Sequence, residues 1–183
     1  MVVLITGSST GFGREAAETL AKRGHTVFAS MRGCSGKNVG NKAALEELAK
    51  RENLALFVPE LDVADEDSVN AGVKEIVKQA GRIDVVINNA GIASLGVTEA
   101  YTMAQWQRLF DVNVFGVVRV NRAVLPVMRA RQFGRIIQMG SIHSLVASPY
   151  KAAYVAVFQA WAKGTIKGTA EQVFDATKSI LEE

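Results

Sequence analysis

Residues 2–13 read VVLITGSSTGFG, a short run of apolar, mostly β-branched side chains that leads directly into a glycine-rich turn. An apolar run without polar alternation is typical of a central parallel strand that is covered on both faces. Gly7, Gly11 and Gly13 remove side chains where the backbone turns tightly and where a diphosphate could approach the start of a helix. The stretch therefore predicts a strand, a turn and a helix that together bind a phosphate group.

The composition indicates one soluble domain that spans residues 1–183. The chain is 49% hydrophobic, which allows a sizeable core. Its 21 basic and 18 acidic residues are scattered and leave a net charge of only +3, so no nucleic-acid partner is expected. No stretch approaches the ~18 apolar residues that cross a bilayer. We therefore expect no membrane partner and a cytoplasmic location.

Cysteine and histidine are too sparse for a metal site or a disulfide. Cys34 is the single cysteine, which excludes an internal disulfide and fits a reducing compartment. His25 and His143 have no carboxylate or cysteine cluster beside them, so no metal ligand set is expected. His143 is interpreted as an ordinary loop residue or, alternatively, as a substrate contact.

Strand and helix patterns alternate along the chain. Further strands are expected at residues 26–30, 54–58, 84–88 and 135–139. Helices are expected after the glycine turn, at residues 42–51 after a polar loop at 33–41, between Asp65 and Gly81, and from residue 103 to about 128. Such alternation is typical of βαβ units, so the sequence predicts an α/β fold with a parallel sheet.

The end of the second strand indicates which dinucleotide would bind. An acid there usually holds the adenosine ribose hydroxyls, whereas a basic residue suits a 2′-phosphate. This chain has Ser30, Met31 and Arg32 with no acid, and the guanidinium of Arg32 matches phosphate. NADP(H) is therefore favoured as the cofactor, with NAD(H) possible. The alternative is that Arg32 is only an exposed loop residue.

Six short motifs in order resemble those of the short-chain dehydrogenase/reductase family. They are TGSSTGFG at residues 6–13, LDV at 61–63, NNAG at 88–91, Asn113, Ser141, and Tyr154 thirteen residues after the serine. The resemblance covers residues 1–154 and is closest to the branch that handles steroids, retinoids and other bulky alcohols. It implies a Rossmann fold, which is a doubly wound parallel sheet with helices on both faces, and a small-molecule substrate.

The resemblance also implies the roles of individual residues. Tyr154 would be the acid/base for hydride transfer between nicotinamide and a carbonyl or secondary alcohol, Ser141 would steady the substrate oxygen, and Asn113 would help to hold a relay water. Asp62 would accept a hydrogen bond from adenine, or alternatively cap a turn. The implied cofactor-binding residues are Gly7, Ser9, Thr10, Gly11, Phe12, Gly13, Arg32, Asp62, Val63, Asn89, Ala90 and Gly91.

The resemblance further implies a homodimer or homotetramer. In the family, the long helix after the fourth strand and the tyrosine helix build the subunit interface. Trp106 and Phe110 share one helical face, which suits the core or a subunit contact. The residues that could supply the interface here are Val112, Phe115, Val118 and Leu125.

The sequence departs from the family directly after the tyrosine. Four residues later the family has a lysine, whose charge favours the phenolate and whose ammonium binds the nicotinamide ribose. This chain has Phe158 at that position. Lys151, three residues before Tyr154, could partly substitute for the lysine or be an ordinary surface residue. An alternative function is therefore open, in which the chain binds a nucleotide or a partner without turnover.

Residues 155–183 are atypical of the family. Thr169 and Gln172 form a capping-box pattern before an amphipathic helix, but the later strands of the family are not recognisable. Either the chain is a shortened relative, or interior residues are absent between Tyr154 and Thr169. The second explanation is favoured, because a sheet that ended after the fifth strand would expose its edge and the nicotinamide end of the site.

Overall fold

A computed structural model of the chain describes residues 1–144 and 150–163. Within these residues, parallel strands form one sheet in the order β3-β2-β1-β4-β5. The strands are β1 (Val2–Ile5), β2 (Thr26–Ala29), β3 (Leu56–Phe57), β4 (Val85–Asn88) and β5 (Arg135–Gln138). The predicted α/β fold with a doubly wound parallel sheet is confirmed.

Helices lie on both faces of this sheet. They are α1 (Gly11–Lys22), α2 (Val39–Arg51), α3 (Glu66–Ala80), α4 (Met103–Phe110), α5 (Gly116–Ala130) and α6 (Ala152–Lys163). A π-helical segment, Asp111–Phe115, joins α4 to α5. Short 3₁₀ turns cover Thr98–Ala100 and Ile142–Ser144.

The central strand β1 divides the core into two halves, because successive side chains of a strand point to opposite faces. Val3 and Ile5 pack with residues of α1 and α2, whereas Val2 and Leu4 pack with residues of α3 and α5. All four side chains are buried. The uninterrupted apolar run at the start of the chain is thus explained by helices that cover both faces of the sheet.

Local signals set the ends of α3. Asp65 caps its start, where the Oδ1 atom accepts hydrogen bonds from the backbone N–H groups of Asp67 at 2.9 Å and Ser68 at 3.2 Å. Gly81 ends the helix in the left-handed region with φ of 70°, which a residue without a side chain adopts at little cost. Both predicted ends of this helix are therefore confirmed.

Two boundaries differ from the prediction. Helix α2 begins at Val39, inside the stretch expected to be a polar loop, because its first turn tolerates the glycine and asparagines that suggested a loop. Strand β3 is shorter than expected, since Pro59 has no N–H to donate to the ladder. Pairing resumes beyond the proline as a single bridge between Met31 and Glu60.

The long helix expected from residue 103 is not one continuous α-helix. The π-helical segment Asp111–Phe115 interrupts it, and Arg119 stabilises this segment by donating to Asp111 Oδ1 at 2.6 Å and to Val63 O at 3.2 Å. Val112 is only 6% exposed and packs in the core, so its prediction as a subunit-interface residue is wrong. The exposed side chains of Phe115 and Val118 still fit that prediction.

Helix α6 carries Tyr154 and is described as far as residue 163. The predicted capping box at Thr169 and Gln172, and its helix, lie outside the described residues. The prediction that residues are absent between Tyr154 and Thr169 concerns a segment that is only partly described, and it stays a prediction. Every helix within the described ranges is too short or too polar to span a bilayer.

Candidate active site

The strand order reverses between β1 and β4, and the candidate site lies at this reversal. In open α/β sheets a crevice forms at the carboxyl ends of the strands on either side of such a point. Thr6 follows β1, and its buried Oγ1 accepts hydrogen bonds from the backbone N–H groups of Asn89 at 3.1 Å and Ala90 at 3.0 Å. The two motifs that follow these strands are therefore joined at the base of the crevice.

Asn89 makes a second connection between the same two strands. Its Nδ2 donates to Thr6 O at 2.9 Å and to Gly7 O at 3.1 Å. The preceding residue, Asn88, instead donates from Nδ2 to Asn121 Oδ1 at 2.9 Å and so anchors β4 to α5. Asn89 thus joins the two strand ends at the crevice, whereas Asn88 fixes β4 against α5.

Two glycines of the first turn are required by close contacts. Gly7 has φ of 70°, and a Cβ atom there would lie 2.7 Å from Ala90 Cα. A Cβ atom on Gly13 would overlap Asn89 Nδ2 and lie 2.7 Å from Gly7 O. Gly11 has φ of 59° but faces open space, so only its backbone conformation favours glycine.

The first turn of α1 is suited to an anion. Thr10 is its N-cap residue, with extended backbone, and in the described structure its side chain makes no capping hydrogen bond. The first turn also carries no acidic side chain. The N–H groups at this helix end are thus available to a ligand and carry the positive end of the helix dipole.

A cavity of about 440 Å³ occupies this crevice. It brings together nine of the twelve predicted cofactor-binding residues, namely Gly7, Ser9, Thr10, Arg32, Asp62, Val63, Asn89, Ala90 and Gly91. The other three, Gly11, Phe12 and Gly13, are not among its described lining residues, and the Phe12 side chain is 77% exposed. The lining residues that sequence reasoning missed are Met31, Lys37, Asn38, Leu61, Ile92 and Val112.

Arg32 and Asp62 both line this cavity and form a salt bridge with each other. Arg32 Nη1 lies 3.7 Å from Asp62 Oδ2, and both side chains are one-third exposed. Asp62 also caps a turn, since its Oδ1 accepts from the backbone N–H of Ala64 at 3.0 Å. One oxygen of Asp62 is therefore committed to the backbone, while the other lies beside the guanidinium.

Asn113 lies in the π-helical segment and is buried beside the cavity. Its Oδ1 accepts from Ile92 N at 2.9 Å, and its Nδ2 donates to Ile92 O at 2.9 Å. A Cβ atom on Gly91 would lie 3.0 Å from the same Oδ1, so this glycine permits the close approach. The π-helical segment thus holds the loop that lines the inner end of the cavity.

Ser141, His143 and Tyr154 gather beyond the end of β5. The backbone N–H of His143 donates to Ser141 Oγ at 3.3 Å. The buried His143 ring meets the Tyr154 ring edge to face, with centroids 5.6 Å apart. The 3₁₀ turn Ile142–Ser144, which directly follows Ser141, thus packs against α6, the helix that carries Tyr154.

Lys151 completes this group from the start of α6. Its Nζ lies 3.1 Å from His143 Nε2. This distance fits a hydrogen bond in which the ammonium group of Lys151 donates to Nε2. His143 thus links Lys151 to the ring of Tyr154.

The remaining candidates fit other roles. Cys34 is buried, and its Sγ lies 3.4 Å from Met31 O. Burial, followed by the nearby Glu60 carboxylate, raises the pKa of the Cys34 thiol, which disfavours the nucleophilic thiolate. Within residues 1–144 and 150–163, no group of three or more His, Cys, Asp and Glu side chains could hold a metal ion.

Comparison with known proteins identifies the family. A family model described as short chain dehydrogenase matches residues 1–174. The chain therefore belongs to the short-chain dehydrogenase family, as the sequence motifs predicted.

Individual relatives support this assignment. The chain is 36% identical over 155 residues to 3-ketodihydrosphingosine reductase of Bacteroides thetaiotaomicron, covering 85% of this chain and 52% of the relative. It is 38% identical over 157 residues to retinol dehydrogenase 8 of Bos taurus, covering 84% of this chain and 48% of the relative. The chain thus spans about half the length of these relatives.

A solved structure is similar in both sequence and fold. The gluconate 5-dehydrogenase of Burkholderia cenocepacia, in complex with NADP and tartrate, matches with a TM-score of 0.78 and 33% identity. The match covers 87% of this chain and 60% of that one.

Proposed function

We propose that the chain is an NADP(H)-dependent oxidoreductase that transfers a hydride between nicotinamide and a carbonyl or secondary alcohol. The observation that carries this proposal is the cavity at the reversal of strand order, which collects nine predicted cofactor-binding residues. Membership of the short-chain dehydrogenase family supports it. So does the NADP complex of the similar gluconate 5-dehydrogenase.

The residues of the cavity fit a dinucleotide. The first turn of α1 offers backbone N–H groups to a diphosphate, and Gly7 permits the sharp turn that brings them to the crevice. Asp62 would contact the adenine, and residues 89–91 would lie along the nicotinamide ribose. When bound, the cofactor supplies the hydride chemistry.

Arg32 is the residue on which the choice of cofactor depends. Its guanidinium lines the cavity at the end of β2 and provides donors that match a 2′-phosphate. An acid at this position would instead hold ribose hydroxyls and favour NAD(H). We therefore propose NADP(H) as the preferred cofactor.

Tyr154 is the proposed acid/base. In the direction of reduction its hydroxyl donates a proton to the substrate oxygen, and in the direction of oxidation it takes the proton back. Ser141 hydrogen-bonds the same oxygen. Asn113 holds Ile92 in place at the inner end of the cavity and is the proposed contact of a relay water.

Bulky alcohols and carbonyls are the proposed substrate class. The motifs resemble the branch of the family that handles steroids and retinoids, and retinol dehydrogenase 8 is 38% identical over the matched residues. The similarity to 3-ketodihydrosphingosine reductase points in the same direction, since the name of that relative gives a keto compound as its substrate.

The proposal is tested by following NADPH absorbance while the chain is mixed with a panel of bulky ketones and aldehydes. We expect substrate-dependent oxidation of NADPH, and its loss in Tyr154→Phe. Phe158 at the lysine position favours a second candidate, a nucleotide-binding protein without turnover. Binding of NADPH without oxidation across the panel would support that second candidate.

We further propose a homodimer or homotetramer. Met103, Phe115 and Val118 are exposed apolar side chains on α4, the π-helical segment and α5. A second cavity, of about 780 Å³, is lined by residues of α4 and the π-helical segment. Light scattering should give at least twice the monomer mass, and Phe115→Glu should reduce it. A monomeric wild-type chain would contradict this proposal.

A further inference from the structure

We propose that Lys37 is a second cationic contact for the 2′-phosphate and that it decides, together with Arg32, the preference for NADP(H). This inference rests on the proposed function, because it concerns the ligand of the same cavity. Lys37 lies in the loop between β2 and α2, where the sequence offers no motif that marks it.

The folded loop brings Lys37 to the cavity. The backbone N–H groups of Gly36 and Asn38 donate to Gly33 O at 3.1 and 3.0 Å, which closes the loop into a tight turn. Gly33 has φ of 63°, and a Cβ atom there would lie 3.4 Å from Lys37 Cγ. The lysine stem thus packs over this glycine, and the side chain lines the cavity together with Arg32.

Hydrogen bonds fix Lys37 relative to Arg32. Asn38, the next residue, donates from Nδ2 to Arg32 O at 2.7 Å. Gly33, which follows Arg32, donates its N–H to Glu60 Oε1 at 3.1 Å. Because both ends of the loop are anchored, the two cationic side chains are presented to the cavity by one connected unit.

The charges of the other side chains at the cavity explain why Lys37 would matter for binding an anion. The guanidinium of Arg32 lies 3.7 Å from the Asp62 carboxylate, so these two lining charges offset each other. Glu60 adds a further negative charge next to the loop, and its carboxylate accepts a hydrogen bond from the backbone N–H of Gly33. Lys37 is exposed and forms no salt bridge with any described residue. Its charge is therefore available to a ligand.

A 2′-phosphate carries more negative charge than Arg32, which is paired with Asp62, can offset. A phosphate monoester carries about −1.5 to −2 charges near pH 7. Arg32 can supply a planar pair of donors, whereas the ammonium of Lys37 supplies a point charge. With Lys37 the charged side chains that line the cavity sum to one positive charge, and without it they sum to zero.

The test compares two adenosine ligands that lack nicotinamide, so the readout does not depend on turnover. Calorimetric titration should show that the wild-type chain binds 2′,5′-ADP more tightly than 5′-AMP. Lys37→Met should weaken 2′,5′-ADP about fivefold, leave 5′-AMP unchanged, and show a smaller effect at high salt. Lys37→Arg should retain most of the preference.

Lys42→Met is the matched control, because Lys42 lies 3.7 Å from Glu46 on α2 and does not line the cavity. It should bind both ligands as the wild type does. A preference for 2′,5′-ADP that survives intact in Lys37→Met would overturn the inference and leave the proposed function standing. A wild-type chain that binds neither ligand would overturn both.

Discussion

Asn113 binds Ile92 through both polar atoms of its side-chain amide, at 2.9 Å from Oδ1 to the backbone nitrogen and 2.9 Å from Nδ2 to the carbonyl oxygen. The two residues are 21 positions apart, so this pair fixes the π-helical segment against the loop that follows β4. Asparagine is a poor helix former because its amide competes for backbone groups. In this protein the amide of Asn113 uses this capacity to join the π-helical segment to the loop after β4.

Replacing Asn113 with Ala should impair both stability and activity. The N–H and carbonyl groups of Ile92 would lose their partners, which costs about 1–3 kcal/mol in the free energy of unfolding. Asn113→Asp should restore only the bond from Ile92 N, because a carboxylate cannot donate to Ile92 O. Urea denaturation would measure both variants, and an unchanged midpoint for Asn113→Ala would contradict the assigned role.

The first turn should not tolerate a side chain at Gly7. Gly7→Ala places a methyl group 2.7 Å from Ala90 Cα on a backbone with φ of 70°. We expect a loss of at least about 2 kcal/mol in unfolding free energy and much weaker NADPH binding.

Gly40→Ala provides the matched control for this change. Gly40 lies in the first turn of α2, and a Cβ atom there has no neighbour within 4 Å among the described residues. It should leave binding unchanged and raise stability slightly, since alanine favours a helix. Equal effects of the two substitutions would argue against a close approach at Gly7.

Asp84 should make the fold sensitive to acid. Burial alone would raise the pKa of this carboxyl, but the hydrogen bonds from Val2 N at 2.8 Å and Arg82 Nε at 2.6 Å lower it overall. A lowered pKa stabilises the fold fully above the ordinary carboxyl pKa of about 4, and this contribution is lost as the pH falls through the lowered pKa.

Asp84→Asn should therefore reduce stability at pH 7 by about 2 kcal/mol and flatten its dependence on pH below 4. Thermal melts of the two proteins between pH 2 and pH 7 would measure this. The same loss of stability at every pH would show that the carboxylate does not contribute through its charge.

Phe158→Lys should raise activity. Position 158 lies one helical turn after Tyr154 in α6, where the family has its lysine. The added ammonium would favour the phenolate and offer a donor to the cofactor ribose, so we expect at least about a tenfold increase in kcat. Phe158→Met is the apolar control and should leave kcat low. Similar rates for both variants would contradict the prediction.

Local chemistry explains which elements could be predicted from the sequence. Asp65 and Gly81 act on their own backbone and neighbours, so both ends of α3 were predicted correctly. The interface role of Val112 was wrong because the prediction assumed a continuous α-helix. A π-helical turn contains an additional residue, which rotates the preceding residues to another face.

In the site, too, residues in local motifs could be predicted, whereas residues positioned by tertiary packing could not. Its glycines and polar residues follow strand ends in recognisable motifs, and nine of the predicted cofactor-binding residues line one cavity. Lys37 was not predicted, because its position depends on how the loop between β2 and α2 closes on Gly33. The link from Lys151 through His143 to Tyr154 likewise depends on packing between separate elements.

The most direct test of the central claim, that this cavity binds NADP(H), is the dissociation constant for NADPH and for NADH in the wild type and in Arg32→Ala. We expect the wild type to prefer NADPH, and Arg32→Ala to weaken NADPH by about tenfold or more with little change for NADH, because a charge-assisted contact to the 2′-phosphate is lost. Equal losses for both cofactors, or no binding of either by the wild type, would contradict the account.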